Sequence, residues 1–298
     1  MTASLVFAVF LWGGNNAGVK YLVDFWPPVF VGATRFLCAG LLLLAVLRWT
    51  CWLGAWQPVP REMQARLWWR GGFSLAIYIV VFNGALCFTS ASHVALILGA
   101  SPLWALLWER HTGSMREAAR KYGAALLALA GVGVLFWPAL QSSKGSWPGE
   151  VLSVLASFLW THFGRQCRVL SRDLNGAEIT AHAMWRAAVW LAPFALWEVA
   201  RQGVGWRTDG ALIQGYCILA GGVIAFALWT NALRHWPTSQ VMLFNNLIPA
   251  STMAWAHVWL DEAVTPTFGA AMVLIVAGVL LGQAPWRRAG GPAPVPPE

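Results

Sequence analysis

The chain has 298 residues, of which 58% are hydrophobic and only 11% are charged, and its mean hydropathy is +0.57. Soluble domains carry about 25% charged residues, so this composition excludes an ordinary soluble enzyme. Apolar runs of about 20 residues, the length that crosses about 30 Å of hydrocarbon, recur along the chain. The sequence therefore predicts an all-α membrane protein that lies in a lipid bilayer.

The net charge of +8 comes from 20 basic and 12 acidic residues. Basic residues gather in the cytoplasmic loops of membrane proteins, so the excess does not indicate a nucleic-acid partner. The five cysteines are isolated and form no CxxC or Cys/His cluster. We therefore expect no disulfide and no metal site, and no motif indicates a cofactor.

Apolar runs bounded by charges, proline or glycine predict ten transmembrane helices. They cover residues 2–22, 29–48, 69–88, 92–109, 121–138, 150–168, 178–199, 212–234, 239–260 and 266–284. No basic segment or cleavage site marks the first run as a signal peptide, so we interpret it as a retained span. The tail, residues 287–298, is rich in proline and glycine and is predicted to be disordered.

The basic residues indicate the orientation of the spans. If the ten spans alternate, 14 basic residues lie on one side of the membrane and 4 on the other. Arg35 and Arg186 fall inside spans and belong to neither side. Because basic loops stay in the cytoplasm, both termini are predicted to be cytoplasmic.

Landmarks of the chain recur in the same order after about 147 residues, as an internal repeat requires. The matched pairs are Phe10-Leu11-Trp12 with Phe158-Leu159-Trp160, Pro102 with Pro249, Trp108 with Trp255, Gly131-Val132 with Gly278-Val279, and Arg35 with Arg186. This order predicts two repeats, residues 1–144 and 145–286, followed by the tail. Since each repeat has five helices, an odd number, the second repeat enters the membrane from the opposite face.

Two inverted five-helix repeats are typical of secondary transporters, which bind substrate near the midplane, where the repeats meet. A duplicated scaffold without a transport role is the alternative. Pro102 and Pro249 lie at equivalent places in the fourth and ninth spans, where proline interrupts a helix and frees carbonyl groups. We predict that these prolines are hinges and that the neighbouring Ser101 and Asn245 bind substrate; a kink that serves packing alone is the alternative.

Other polar and aromatic side chains at mid-span depth complete the predicted site. Polar groups are expensive in lipid, so they are expected to face the interior. The polar candidates are Asn15, Asn16, Tyr78, Asn83, His162 and Asn231. Trp12 and Trp160, which are repeat mates, and Trp185 are predicted to hold a flat or apolar substrate by stacking. For each residue, a hydrogen bond between helices or core packing is the alternative.

The charged residues narrow the transport class. All twelve acidic residues fall in loops, tails or at span ends, which disfavours a multidrug antiporter coupled through a buried carboxylate. Arg35 and Arg186 either hold an anionic group such as a carboxylate or extend to the membrane interface. Small-residue faces at Gly278 and Gly282 and at Ala124 and Ala128 favour close helix packing, within the chain or in a dimer, and the oligomeric state stays open.

Several motifs, in this order, resemble those of EamA-type permeases of the drug/metabolite transporter superfamily. They are Leu11-Trp12-Gly13 with Lys20 and Arg35, the stretch from Thr89 to Pro102, Asn245 to Pro249, Leu260-Asp261-Glu262, and Gly269. Within that group the chain is similar to bacterial aromatic amino acid exporters. The resemblance implies an inner-membrane location and export by alternating access.

The sequence thus predicts an exporter of amino acids, with a preference for aromatic or other apolar side chains. A permease for another small metabolite or a hydrophobic drug is the alternative within transport. The chain contains no HExxH, GxSxG or Walker motif, so an enzyme is not expected. No predicted helix has the polar stripe that lines a channel pore.

Overall fold

A computed structural model describes residues 1–51, 58–89, 91–109, 114–142, 146–251, 255 and 266–283, and these residues form helices and no strand. The predicted all-α class is confirmed. The helices are α1 (Thr2–Val23), α2 (Pro28–Trp49), α3 (Arg61–Arg66, Leu67–Phe73 and Ser74–Phe88), α4 (Ala91–Leu98 and Ser101–Trp108), α5 (Met115–Ser142), α6 (Trp147–Leu170), α7 (Gly176–Gln202), α8 (Thr208–Tyr216, Cys217–Ala225 and Phe226–His235), α9 (Thr238–Met242 and Leu243–Asn246, continued by 247–251) and α10 (Pro266–Gln283). The predicted tail lies outside the described residues.

Four described stretches are long and apolar enough to cross a membrane. They are Pro28–Trp49, Met115–Trp137, Thr208–His235 and Pro266–Gln283, and residues 96–108 form a shorter apolar stretch. Helices such as α6 and α7 contain polar and charged side chains that are buried against neighbouring helices. These side chains lower the mean hydropathy of α6 and α7. A total of ten spans therefore stays a prediction.

Carboxylates at helix ends cap neighbouring helices. Glu198 of α7 accepts hydrogen bonds from the backbone N–H groups of Val29 and Phe30, at 2.9 and 3.1 Å, where α2 begins. Glu109, just after α4, accepts bonds from the backbone N and the Oγ of Ser239 at the start of α9, at 2.9 and 2.6 Å. The first N–H groups of a helix have no partner within it, so these acids satisfy donors that are expensive to leave unpaired in lipid.

Small residues bring two helix pairs into close contact. A Cβ on Gly40 of α2 would lie 2.7 Å from the backbone N of Trp185 in α7. A Cβ on Gly131 of α5 would lie 2.8 Å from the backbone N of Ile275, and one on Gly278 of α10 would lie 2.6 Å from the backbone N of Ala128. The predicted small-residue faces of α5 and α10 therefore pack against each other within the chain.

Two helices contain π-helical turns that share a Gly-Gly pair. The turn Leu67–Phe73 in α3 includes Gly71-Gly72, and the turn Cys217–Ala225 in α8 includes Gly221-Gly222, 150 residues later. Gly72 lies against the Cβ of Arg186, and Gly222 lies against the Cβ of Ala39. Each π turn thus allows close approach to an arginine-bearing helix, α7 for α3 and α2 for α8.

The α5–α10 contact can be tested with one substitution at two positions of α5. We expect Gly131→Ala to lower the free energy of unfolding by about 1–3 kcal/mol, because the added methyl group meets backbone atoms that cannot move aside. Gly123→Ala meets nothing within 4 Å and should instead raise the stability by up to about 1 kcal/mol through helix propensity. Thermal unfolding in detergent measures both; shifts of the same sign would contradict the packing.

Candidate functional site

Five buried aromatic side chains from four helices meet inside the bundle. This aromatic cluster consists of Trp12 of α1, Tyr78 of α3, Trp160 of α6, and Phe226 and Trp229 of α8. The ring centroids of Trp12 and Trp160 are 5.9 Å apart, edge to face, and those of Tyr78 and Trp160 are 5.0 Å apart. Trp229 lies 5.0 Å from Trp12 and 6.1 Å from Trp160, so the cluster joins both halves of the chain.

The rings of the aromatic cluster contact one another at the place where the sequence predicts a polar cavity. Aromatic pairs of this kind are worth about 0.5–1.5 kcal/mol each beyond the area that they bury. Phe226 and Trp229 were not among the predicted site residues, although their three-residue spacing places them on one helical face. A flat ligand can bind between Trp12 and Trp160 only when these rings separate.

Arg35 of α2 lies beside the aromatic cluster. Its Nη1 donates a hydrogen bond to Asn15 Oδ1 at 3.2 Å, and its guanidinium lies 5.0 Å from the ring of Phe36. The Nε of Arg35 is buried and has no hydrogen-bond partner among the described residues. Asn15 is buried, whereas the predicted site residue Asn16 is exposed, because one residue rotates a helix by about 100°. The amide that faces the interior is therefore that of Asn15.

Arg186 of α7, the repeat mate of Arg35, has many partners. It is 2% exposed, and it donates hydrogen bonds to the Gln64 side chain and to the carbonyl of His182, with the His182 ring nitrogen also at 3.0 Å. Its guanidinium lies 4.2 Å from the ring of Trp185. These four residues help to line a cavity of about 460 Å³. The ring contact described for Trp185 is with Trp68, which is not part of the aromatic cluster. The predicted site residue Trp185 therefore lies with Arg186 and apart from that cluster.

The predicted interruptions of the fourth and ninth spans are present and meet each other. α4 breaks at Gly99-Ala100, directly before Ser101 and Pro102, and α9 has a 3₁₀ turn at Leu243–Asn246, shortly before Pro249. A Cβ on Gly99 would lie 2.8 Å from Asn246 Oδ1. Proline is tolerated in the first turn of a helix but not in its interior, which explains why α4 restarts at Ser101.

Polar groups surround this junction. Ser101 is buried and bonds to the carbonyl of Leu98, with Ser157 Oγ of α6 at 3.4 Å. The predicted site residue Asn245 is buried, and its Nδ2 lies 3.4 Å from the sulfur of Met242. Both polar side-chain atoms of the buried Asn246 have no partner among the described residues, although the sequence favoured Asn245. Such amides are available to a ligand or to water.

The remaining predicted site residues lie apart from the aromatic cluster. Asn83 Nδ2 lies 3.4 Å from the carbonyl of Pro28, and the backbone of Asn231 packs against Gly176 at the start of α7. His162 lies 3.3 Å from Gln166 and lines a cavity of about 580 Å³ between α3 and α6. The structure thus brings Trp12, Tyr78 and Trp160 together and distributes the polar candidates over several contacts.

Comparison with known proteins identifies the family. A model of the EamA-like transporter family matches residues 2–137 and, a second time, residues 147–282. The chain belongs to the EamA-like transporter family. This confirms the resemblance that the motifs indicate, and it makes the protein a membrane transporter.

This EamA-like transporter has relatives along almost its full length. It is 26% identical to an uncharacterized transporter of Archaeoglobus fulgidus, over 94% of the chain and 96% of the relative. It is 23% identical to a probable amino-acid metabolite efflux pump of Salmonella typhimurium, over 92% of the chain and 91% of that protein. A crystal structure with 19% identity superposes with a TM-score of 0.76, covers 95% of this chain and 97% of its own, and supports the fold alone.

Proposed function

We propose that this EamA-like transporter exports amino acids with aromatic or apolar side chains across the bacterial inner membrane. The observation that carries the proposal is the aromatic cluster, which joins both halves of the chain and lies beside a half-buried arginine, Arg35, whose buried Nε has no hydrogen-bond partner among the described residues. Two features of the relatives agree with it: two are named probable amino-acid metabolite efflux pumps, and YedA of Escherichia coli is named an uncharacterized inner membrane transporter.

Arg35 and Asn15 supply the polar part of the proposed site. A guanidinium pairs with a carboxylate through two charge-assisted hydrogen bonds, and the unpartnered Nε of Arg35 is one such donor. The substrate ring would then lie between Trp12 and Trp160, one helical turn from Asn15 on α1. A cationic drug would be repelled by Arg35, which favours an amino acid over such a drug.

Differences between the two arginines support the choice of Arg35. Gln64 and Gln214 are 150 residues apart, at the same spacing as the two π turns. Gln64 accepts a hydrogen bond from Arg186. Gln214 instead donates to the carbonyl of Val31 and to Thr34 Oγ1, at 3.0 and 2.9 Å. Both terminal nitrogens of Arg186 are thereby held by protein groups, whereas the described bond of Arg35 is that of its Nη1 to Asn15; the Nε of each arginine has no partner among the described residues.

We propose that residues 1–144 and 145–286 are two inverted repeats of five transmembrane helices each. The double family match, the paired π turns and reciprocal packing support this arrangement: α3 packs on α6 as α8 packs on α1. The mated helices α2 and α7, and likewise α5 and α10, contact each other. In alternating access, the halves move against each other at the prolines of α4 and α9, and the rings of Trp12 and Trp160 separate.

The proposed topology predicts that both termini lie in the cytoplasm. Fluorescent-protein fusions to the N terminus and to the C terminus should both be fluorescent in cells, and alkaline phosphatase fusions at the same ends should both be inactive. An active phosphatase fusion at either terminus would contradict an even number of spans with this orientation.

Counterflow in proteoliposomes tests the proposed function. Liposomes loaded with unlabelled phenylalanine should accumulate external labelled phenylalanine, and empty liposomes should not. Excess tryptophan, tyrosine and leucine should each compete with labelled phenylalanine. Phenethylamine, which lacks the carboxylate, should not compete. Competition by phenethylamine or by neutral hydrophobic drugs, but not by amino acids, would favour the alternative permease.

A further inference from the structure

A second, strongly basic cavity lies between α3 and α6, apart from the aromatic cluster. Its volume is about 580 Å³, and four arginines line it: Arg66 and Arg70 of α3, Arg165 of α6, and Arg172 just after α6. Among the described residues that line it, none is acidic. Nearby, Asp173 pairs with Arg66 at 3.2 Å, with both side chains more than 40% exposed, so this carboxylate offsets one of the four positive charges.

The spacing of these arginines concentrates like charge on two facing helices. Arg66 and Arg70 are four residues apart and share one face of α3, a spacing at which like charges destabilise a helix. Fold symmetry does not require them: the positions 150 residues later are Tyr216 and Ala220. The surplus of guanidinium groups over carboxylates around this cavity therefore favours a bound anion that offsets their repulsion.

The aromatic residues of the same cavity indicate where the anion comes from. Trp69 is 58% exposed and Phe73 37% exposed, and both also line the cavity. They lie in α3, where an exposed apolar side chain faces lipid. A zwitterionic amino acid has no net charge and gains little from four cations, whereas a phosphodiester has a full negative charge.

The geometry points to a binding site for an anionic phospholipid, with its phosphate-bearing headgroup among Arg66, Arg70, Arg165 and Arg172 and its acyl chains against Trp69 and Phe73. Basic pockets between transmembrane helices on the cytoplasmic side suit such headgroups. The predicted orientation places the cavity in the cytoplasmic leaflet. This inference does not depend on the transported substrate.

Native mass spectrometry of the full chain in detergent tests the site. The protein is titrated with phosphatidylglycerol and with phosphatidylcholine of the same acyl chains, as wild type and as the variants Arg70→Gln, Arg172→Gln and the double variant. Arg116→Gln is the matched control, because Arg116 is an exposed arginine at the start of α5, outside the cavity. Thermal unfolding of each variant verifies that it is folded.

We expect phosphatidylglycerol to bind in preference to phosphatidylcholine, and each lost guanidinium to weaken its binding about fivefold. The double variant should bind about 25-fold more weakly, and Arg116→Gln should bind as the wild type does. Equal binding of the two lipids, or an equal loss in the control, would overturn the inference. Displacement of phosphatidylglycerol by equimolar inorganic phosphate would assign the cavity to a soluble anion and overturn the lipid source.

Discussion

Replacing Arg35 by glutamine should lower the rate of phenylalanine counterflow by about 10- to 100-fold while leaving the protein folded. A hydrogen bond to a charged group is worth about 1.5–3 kcal/mol, and the proposed carboxylate contact would lose its charge. The fold should tolerate the change, since Arg35 is only half-buried and its described side-chain hydrogen bond is the one to Asn15. Counterflow and thermal unfolding, measured on the same preparation, give the two quantities.

Arg186→Gln is the matched control for Arg35→Gln. It should lower the unfolding temperature, because Gln64 and the carbonyl of His182 would lose a buried donor. Transport per folded molecule should change little. If instead Arg35→Gln retained full transport, or if it lost transport only in proportion to lost folded protein, the carboxylate role of Arg35 would be wrong.

Replacing Trp160 by leucine should remove most of the preference for aromatic over aliphatic amino acids. Trp160 contacts Trp12, Tyr78 and Trp229, and each aromatic contact is worth about 0.5–1.5 kcal/mol. We expect the ratio of phenylalanine to leucine transport to fall about fivefold, from the loss of one such contact with the substrate ring. Leucine keeps part of the apolar volume, so the variant is less disruptive than alanine.

Trp197→Leu controls for the loss of a tryptophan in general. Trp197 lies on α7, is exposed, and stacks on Arg201 outside the aromatic cluster. This variant should keep the wild-type ratio of the two substrates. A ratio that is unchanged in Trp160→Leu, or that falls equally in Trp197→Leu, would show that the aromatic cluster does not select the substrate.

Part of the site can be predicted from the sequence because equivalent positions in the two repeats can be compared with each other. Trp12 and Trp160 stand out as repeat mates, and the structure places their rings in contact. Pro102 and Pro249 mark the interrupted helices for a similar reason: proline has a local, predictable effect on the backbone. The breaks themselves fall a few residues before each proline, at Gly99-Ala100 and at Leu243–Asn246.

Other parts of the site depend on helix rotation, which an apolar sequence does not specify. Asn15 and Asn16 are adjacent in a helix that is apolar on all sides, so the pattern cannot tell which amide faces inward. The π turns of α3 and α8 add a further rotation that shifts the following residues. The different surroundings of Arg35 and Arg186 also depend on the tertiary structure, because they are set by the directions of the Gln64 and Gln214 side chains.

A structure of the full transporter with 4-bromophenylalanine would determine whether the substrate binds where the two halves meet. The anomalous signal of bromine locates the ring independently of the protein density. We expect bromine between Trp12 and Trp160, with the ligand carboxylate about 3 Å from the guanidinium of Arg35. Bromine in the arginine-lined cavity between α3 and α6, or outside the bundle, would contradict it.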